Sequence, residues 1–210
     1  MARERTAPVT ARFILGSASP ARLGLLKAAG LTPEVIVSGV DEEGVTAADV
    51  AALTAELARM KAVDVAARVE GPAYVLGCDS LLELDGRPCG KPGTAEEAVA
   101  RWKSMRGRSG VLHTGHCLID TASGRRLLEV GSTTVHFAKI SDEELAAYVA
   151  TGEPLHVAGA FTIDGHAAPF VERIEGDHGN VVGVSLPLLR RMFAELGVPV
   201  HTLWGQRPPA

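Results

Sequence analysis

Two long runs with strand character, Val111–Asp120 and Arg126–Ala138, are separated only by a short segment holding a Ser123-Gly124 turn. A connection this short joins antiparallel neighbours, because a parallel pair needs a crossover of a dozen residues or more. A second antiparallel signal precedes them. Asp85-Gly86 is a two-residue hairpin turn between Leu81–Leu84 and a return strand that Pro88 keeps short. A purely parallel, doubly wound sheet is therefore excluded.

Elsewhere helices and strands alternate. Arg12–Gly16, Glu34–Ser38 and Ala73–Cys78 read as strands. Pro20 suits the first turn of a helix that stops near Gly30. A second helix is expected from Ala47 to about Val69, with Leu53, Leu57, Met60 and Val63 as its apolar stripe. Thr94 with Glu97, and Ser141 with Glu144, read as capping boxes for helices reaching about Met105 and Ala150. Short strands are expected near Phe161 and Phe170, and a last helix over Ser185–Leu196. The pattern predicts a mixed α/β fold. One domain is expected over residues 12–204, with a flexible arm at 1–11 and a flexible tail at 205–210.

Composition narrows the function. The chain is 46% hydrophobic but only 4% aromatic, so the core is expected to be aliphatic. A net charge of -4 argues against binding a nucleic-acid polymer, yet leaves room for a local basic pocket. No stretch approaches the ~18 apolar residues of a membrane span, and the N-terminus lacks the apolar core of a secretory signal. Cys78, Cys89 and Cys117 show no CxxC spacing, which fits a reduced, cytoplasmic compartment. The seven histidines and these cysteines form no zinc pattern. His113 and His116, three apart on a strand, point to opposite faces and read as non-ligands. No GxxxxGK[ST] loop is present, which disfavours a kinase of that type.

Two segments carry chemistry. Ser17-Ala18-Ser19-Pro20 sits at a strand-to-helix turn, where backbone N–H groups and hydroxyls favour phosphate, and Arg22 follows in the first turn. An ordinary serine cap is the plainer alternative. Asp79, in Gly77-Cys78-Asp79-Ser80, ends an apolar strand. Counting outward from the Asp85-Gly86 turn sets Leu84 against Arg87 and Lys91 against Ser80, which brings an ammonium beside Asp79. Such a pair suits phosphoryl chemistry or is simply a structural ion pair. Lys61 and Glu42, taken singly, read as surface charges.

In order along the chain, these pieces resemble the Maf-like family of nucleotide pyrophosphatases. The family's opening S-x-S-P-R-R stands here as Ser17-Ala18-Ser19-Pro20-Ala21-Arg22, its V-[DE]-E as Val40-Asp41-Glu42, and its L-A-x-x-K-A as Leu57 through Ala62. Gly77-Cys78-Asp79-Ser80, Gly90-Lys91-Pro92, Ala158-Gly159-Ala160-Phe161 and Ile174 through Gly183 match its later motifs. The resemblance implies an inosine-triphosphatase-like fold: an elongated sheet flanked by helices, with a cleft between two lobes. It implies hydrolysis of nucleoside triphosphates to monophosphate and pyrophosphate with Mg²⁺ or Mn²⁺, and a homodimer. By position, Asp79, Lys61 and Lys91 match the catalytic set, with Asp79 as proton acceptor. Ser17, Ser19 and Arg22 match the phosphate-binding set, and Glu42 with Asp79 the metal ligands. A nucleotide-binding regulator of septum formation with little turnover is the alternative the family also suggests.

Three positions tied to base choice in the family read Ala21, Ser80 and Asp164 here. They match neither the branch resembling dTTP/UTP hydrolases nor the branch resembling 7-methyl-GTP hydrolases, so loose base selection is expected. Val157 stands where one branch has a lysine, and the roles of Arg106 and Arg108 stay open.

Overall fold

A computed structural model describes residues 11–205. Of the expected arm at 1–11 and tail at 205–210, all but Ala11 and Gly205 lie outside the described residues. Seven strands form one sheet: β1 (Arg12–Leu15), β2 (Glu34–Val35), β3 (Ala73–Leu84), β4 (Arg87–Cys89), β5 (Ser109–Asp120), β6 (Arg126–Phe137) and β7 (Val171–Glu175). The order is β2-β1-β3-β5-β6-β7, with β4 beside β3. Strands β2, β1 and β3 are mutually parallel neighbours, and the remaining pairs are antiparallel. The helices are α1 (Pro20–Ala28), α2 (Val50–Ala66), α3 (Ala95–Met105), α4 (Asp142–Ala150), α5 (His178–Val182) and α6 (Leu186–Glu195).

The sequence reading divides β3 into two strands, but the structure has one strand of 12 residues. Its partner β5 explains this. The ladder runs unbroken from Tyr74↔Asp120 to Glu83↔Val111 and carries Asp79 and Ser80 through the middle. No strand forms near Phe161. Residues 158–160 make a 3₁₀ turn, with Gly159 at φ 71 and Ala160 at φ 61. The strand expected near Phe170 begins at Val171. Ser141 and Glu144 form the reciprocal capping box of α4, whereas α3 is capped by Thr94, whose Oγ1 accepts from the Glu97 N–H.

The buried face of α2 differs from the expected stripe. Of Leu53, Leu57, Met60 and Val63, only Leu57 is buried. The inward face is Val50, Thr54, Leu57, Ala58, Lys61, Ala62 and Val65. The reason is steric. A Cβ at Gly77 would lie 2.4 Å from the Ala58 carbonyl oxygen, and one at Gly115 would lie 2.2 Å from that of Thr54. The helix backbone rests directly on the sheet, so its contact face needs small residues, and bulkier side chains turn outward.

Two apolar cores sit on the other face of the sheet. Leu76 and Cys78 pack with Phe13, Leu26, Leu189 and Phe193 under α1 and α6. Leu82 and Leu84 pack with Trp102, Phe137, Tyr148 and Phe161 under α3 and α4. Successive even-numbered residues of β3 share one face, so both cores hang from one strand. Ser80 falls between them.

Candidate active site

The cleft begins as a gap in hydrogen bonding along β3. Strand β1 ends where the Gly16 N–H donates to the Leu76 carbonyl at 2.8 Å. Strand β4 joins the same edge only from Leu82↔Cys89. Residues 78–81 therefore have no strand beside them on that edge, although Asp79 and Ser80 stay paired to Gly115 and Thr114 on the other. The chain leaves this edge after Gly16 and enters α1 at Pro20. The result is a cleft of about 600 Å³.

All ten candidate site residues line this cleft: Ser17, Ser19, Ala21, Arg22, Glu42, Lys61, Asp79, Ser80, Lys91 and Asp164. Their partners differ from expectation in one respect. The ammonium touching Asp79 belongs to Lys61, whose Nζ lies 2.6 Å from Asp79 Oδ1 and 2.8 Å from Glu42 Oε1. Lys61 is 9% exposed and so is no surface lysine. The helix face that rests on Gly77 aims it at the strand. Lys91 keeps the counted register only as far as Cys89, where the ladder stops. The Gly90 carbonyl then accepts hydrogen bonds from Arg101 and from the Gly159 N–H, turning the chain away. Lys91 lines the cleft as an exposed cation.

Arg22 is fixed from three sides. Its Nε donates to the Gly183 carbonyl at 3.0 Å, one terminal nitrogen to Ser17 Oγ at 2.9 Å, and the other to Ser80 Oγ at 3.0 Å. A guanidinium has five donors, so one N–H on each terminal nitrogen remains for an anion. Ser19 is both cap and cleft wall, since its Oγ accepts from the Arg22 N–H at 3.4 Å. Thr114, fully buried, donates to the Asn180 carbonyl at 2.8 Å and lies 2.9 Å from Ser80 Oγ. Its only proton is thus used, and Ser80 must donate to Thr114 while accepting from Arg22. The sequence reading missed Thr114, because nothing marks it until β5 is set in register with β3.

Other residues noted in the sequence have defined surroundings. Arg106 and Arg108 pair with Asp142 at 2.6 Å and Asp85 at 2.5 Å, and neither lines the cleft. Val157 does line it. Cys78 is fully buried, and burial pushes its thiol up to about 12, so it is unreactive at neutral pH. His113 and His116 are both buried, His113 beside Glu83 and His116 accepting from the Ser185 N–H.

The cleft walls carry three cations, Arg22, Lys61 and Lys91, and three carboxylates, Glu42, Asp79 and Asp164. Their formal charges balance, and His156 also lines the wall. Glu42 and Asp79 already converge on one cation, Lys61. Among the described residues, no group of three His, Cys, Asp or Glu side chains is arranged to hold a metal ion. Carboxylate oxygens such as those of Glu42 and Asp79 are of the kind that would suit a hard divalent ion.

The sequence model of the Maf-like protein family matches residues 12–196. The chain belongs to the Maf-like family. Among its Maf-like relatives, a protein of Streptomyces coelicolor is 62% identical over 194 residues, covering 92% of this chain and 94% of the other. One of Streptomyces avermitilis is 60% identical over 198 residues, with 93% and 96% covered. Both bear the name nucleoside triphosphate pyrophosphatase. The Maf-like chain also shares its fold with the Staphylococcus aureus Ham1 protein, at TM-score 0.51 and 14% identity, covering 88% of this chain and 99% of that one. The mixed α/β class expected from the sequence stands.

Proposed function

We infer that this Maf-like chain is a nucleoside triphosphate pyrophosphatase, cleaving its substrate between the α- and β-phosphorus. One observation carries the reading: Asp79, Lys61, Glu42, Arg22 and the Ser17–Ser19 turn converge on a single cleft. The names of the relatives support the same activity.

The chain's own residues have distinct tasks. Asp79 accepts a proton from the attacking water. The water oxygen bonds to the α-phosphorus, the α–β anhydride bond breaks, and pyrophosphate leaves with the bonding electrons. Arg22 meets phosphate oxygens with its two remaining N–H groups, and Ser17 and Ser19 line the same wall. Lys61 and Lys91 balance charge on the leaving group. Glu42 and Asp79 would hold Mg²⁺ or Mn²⁺. When bound, the ion supplies further positive charge.

The base belongs against the apolar wall of Leu81, Leu112, Phe161 and Val181. Ala21, Ser80 and Asp164 are the candidates for base choice. Ala21 leaves space and Ser80 is committed to Thr114 and Arg22, so selection is looser at those two positions and what discrimination there is falls to Asp164. A homodimer, a cytoplasmic setting, and free nucleotides in place of nucleic acid or membrane complete the reading. Net charge -4 supports the choice of free nucleotides, and no helix among the described residues is long and apolar enough to cross a membrane.

Incubation with a panel of nucleoside triphosphates and Mg²⁺ or Mn²⁺ tests this. Monophosphate plus pyrophosphate is expected by mass spectrometry. Diphosphate plus phosphate would reject the bond assignment. Tight nucleotide binding without turnover would favour the septum-regulator alternative.

A further inference from the structure

Outside the cleft lies a carboxylate with an unusual set of partners. Glu153, just after α4, receives the Tyr148 hydroxyl at 3.0 Å, the Thr162 hydroxyl, the His166 backbone N–H at 3.0 Å and the His166 Nδ1 at 2.7 Å. Burial works against the charge of Glu153. The hydrogen bonds from His166, Thr162 and Tyr148 outweigh it and hold the carboxyl down to about 2. Gly165 closes the ring: a Cβ there would lie 2.6 Å from Glu153 Oε2 and 2.4 Å from Thr162 Oγ1. Three points of the segment 162–166 are thus tied to one side chain. Asp164 is the residue left at the crest, exposed and lining the cleft. Glu153 itself does not line it.

We propose that Glu153 is a positioning residue for base selection, holding the Thr162–His166 segment so that Asp164 is presented at a fixed place to the nucleobase. The proposal rests on the nucleotide reading above but concerns a different part of the ligand. The serine turn, Arg22, Lys61 and Asp79 sit on other elements and have no contact with Glu153 among the bonds that fix them. Loss of the Glu153 ring therefore frees Asp164 and leaves the phosphate wall as it was. Misplacing a recognition group by about 1 Å is enough to cost substantial discrimination.

The test measures binding, so it does not depend on turnover. Calorimetry would use α,β-methylene analogues of ATP, GTP, UTP and dTTP, and inorganic triphosphate, each with Mg²⁺. The variants are Glu153→Ala, Gly165→Ala, which attacks the same ring from the loop side, and Glu153→Gln, whose amide can still accept from the His166 N–H. The parent protein is expected to rank the four analogues. Glu153→Ala and Gly165→Ala are expected to compress that ranking to within roughly twofold while triphosphate affinity stays within about twofold. Glu153→Gln should retain most of the ranking. Three results overturn the proposal. They are an unchanged ranking in a folded variant, a parallel loss of triphosphate affinity, and failure of all three variants to fold, which would make Glu153 purely structural. A parent that ranks no base overturns it as well. A parent that binds neither nucleotide nor triphosphate instead removes the nucleotide reading beneath it.

Discussion

Lys61 Nζ lies 2.6 Å from Asp79 Oδ1, a buried contact between a helix and the middle of a continuous strand. It joins Asp79, proposed above as the proton acceptor, to a cation that also meets Glu42 at 2.8 Å.

Asp79→Asn keeps the shape and an oxygen for Lys61 but removes the base. Pyrophosphate release is expected to fall about 10²- to 10⁴-fold. Circular dichroism and the melting temperature should stay close to the parent. A folded variant with near-parental turnover would remove Asp79 from the mechanism.

Thr114→Val deletes the hydroxyl that accepts the Ser80 proton and satisfies the Asn180 carbonyl. Ser80 and then Arg22 lose their fixed orientation. A several-fold rise in KM is expected with a smaller change in kcat, and a stability loss of about 1–3 kcal/mol from the unsatisfied buried carbonyl. Steady-state kinetics and urea unfolding check the two parts separately.

Gly115→Ala tests the close seat of α2. The new methyl group would meet the Thr54 carbonyl at 2.2 Å, against backbone that cannot swing aside. A stability loss of about 3 kcal/mol is expected from overpacking. Because α2 also carries Lys61, activity should fall with it. A melting temperature equal to the parent's would show that the helix sits farther from the sheet.

His116 makes stability depend on pH. Burial, and next the charge of Arg22, lower its pKa from 6.5 to about 4 in the folded state. Between those values the unfolded chain binds more protons than the folded one, so stability rises with pH. The contribution is present above about pH 6.5 and is lost as pH falls toward 4. The full loss is about 3 kcal/mol. Urea midpoints at pH 7 and pH 5 should differ accordingly, and His116→Gln should flatten the difference.

Asp164→Gln replaces an acceptor with a group that both donates and accepts. Relative kcat/KM is expected to move toward thymine and uracil nucleotides, read from the same substrate panel.

The sequence made much of this legible, and its failures have common causes. Turn chemistry and period located most elements, and the ordered motifs brought all ten site residues to one cleft. What failed was long-range. The burial of Lys61 depends on α2 resting on Gly77, and helix periodicity chose the bulky stripe instead of the small one. The hairpin count gave the right register for Lys91 but not where pairing ends, which the bonds to the Gly90 carbonyl decide. Thr114 and Glu153 look ordinary in the chain. Their roles arise only from cross-strand register and from a loop that returns to α4.

Strand β3 runs between the two apolar cores without a break, and β5 pairs with it from Tyr74 to Glu83. Both cores therefore hang on one hydrogen-bonded ribbon. To shut like a jaw, the groove would have to bend a hydrogen-bonded ribbon. The floor of the groove is thus fixed to that ribbon, while its walls at residues 17–22 and 156–164 belong to segments off it.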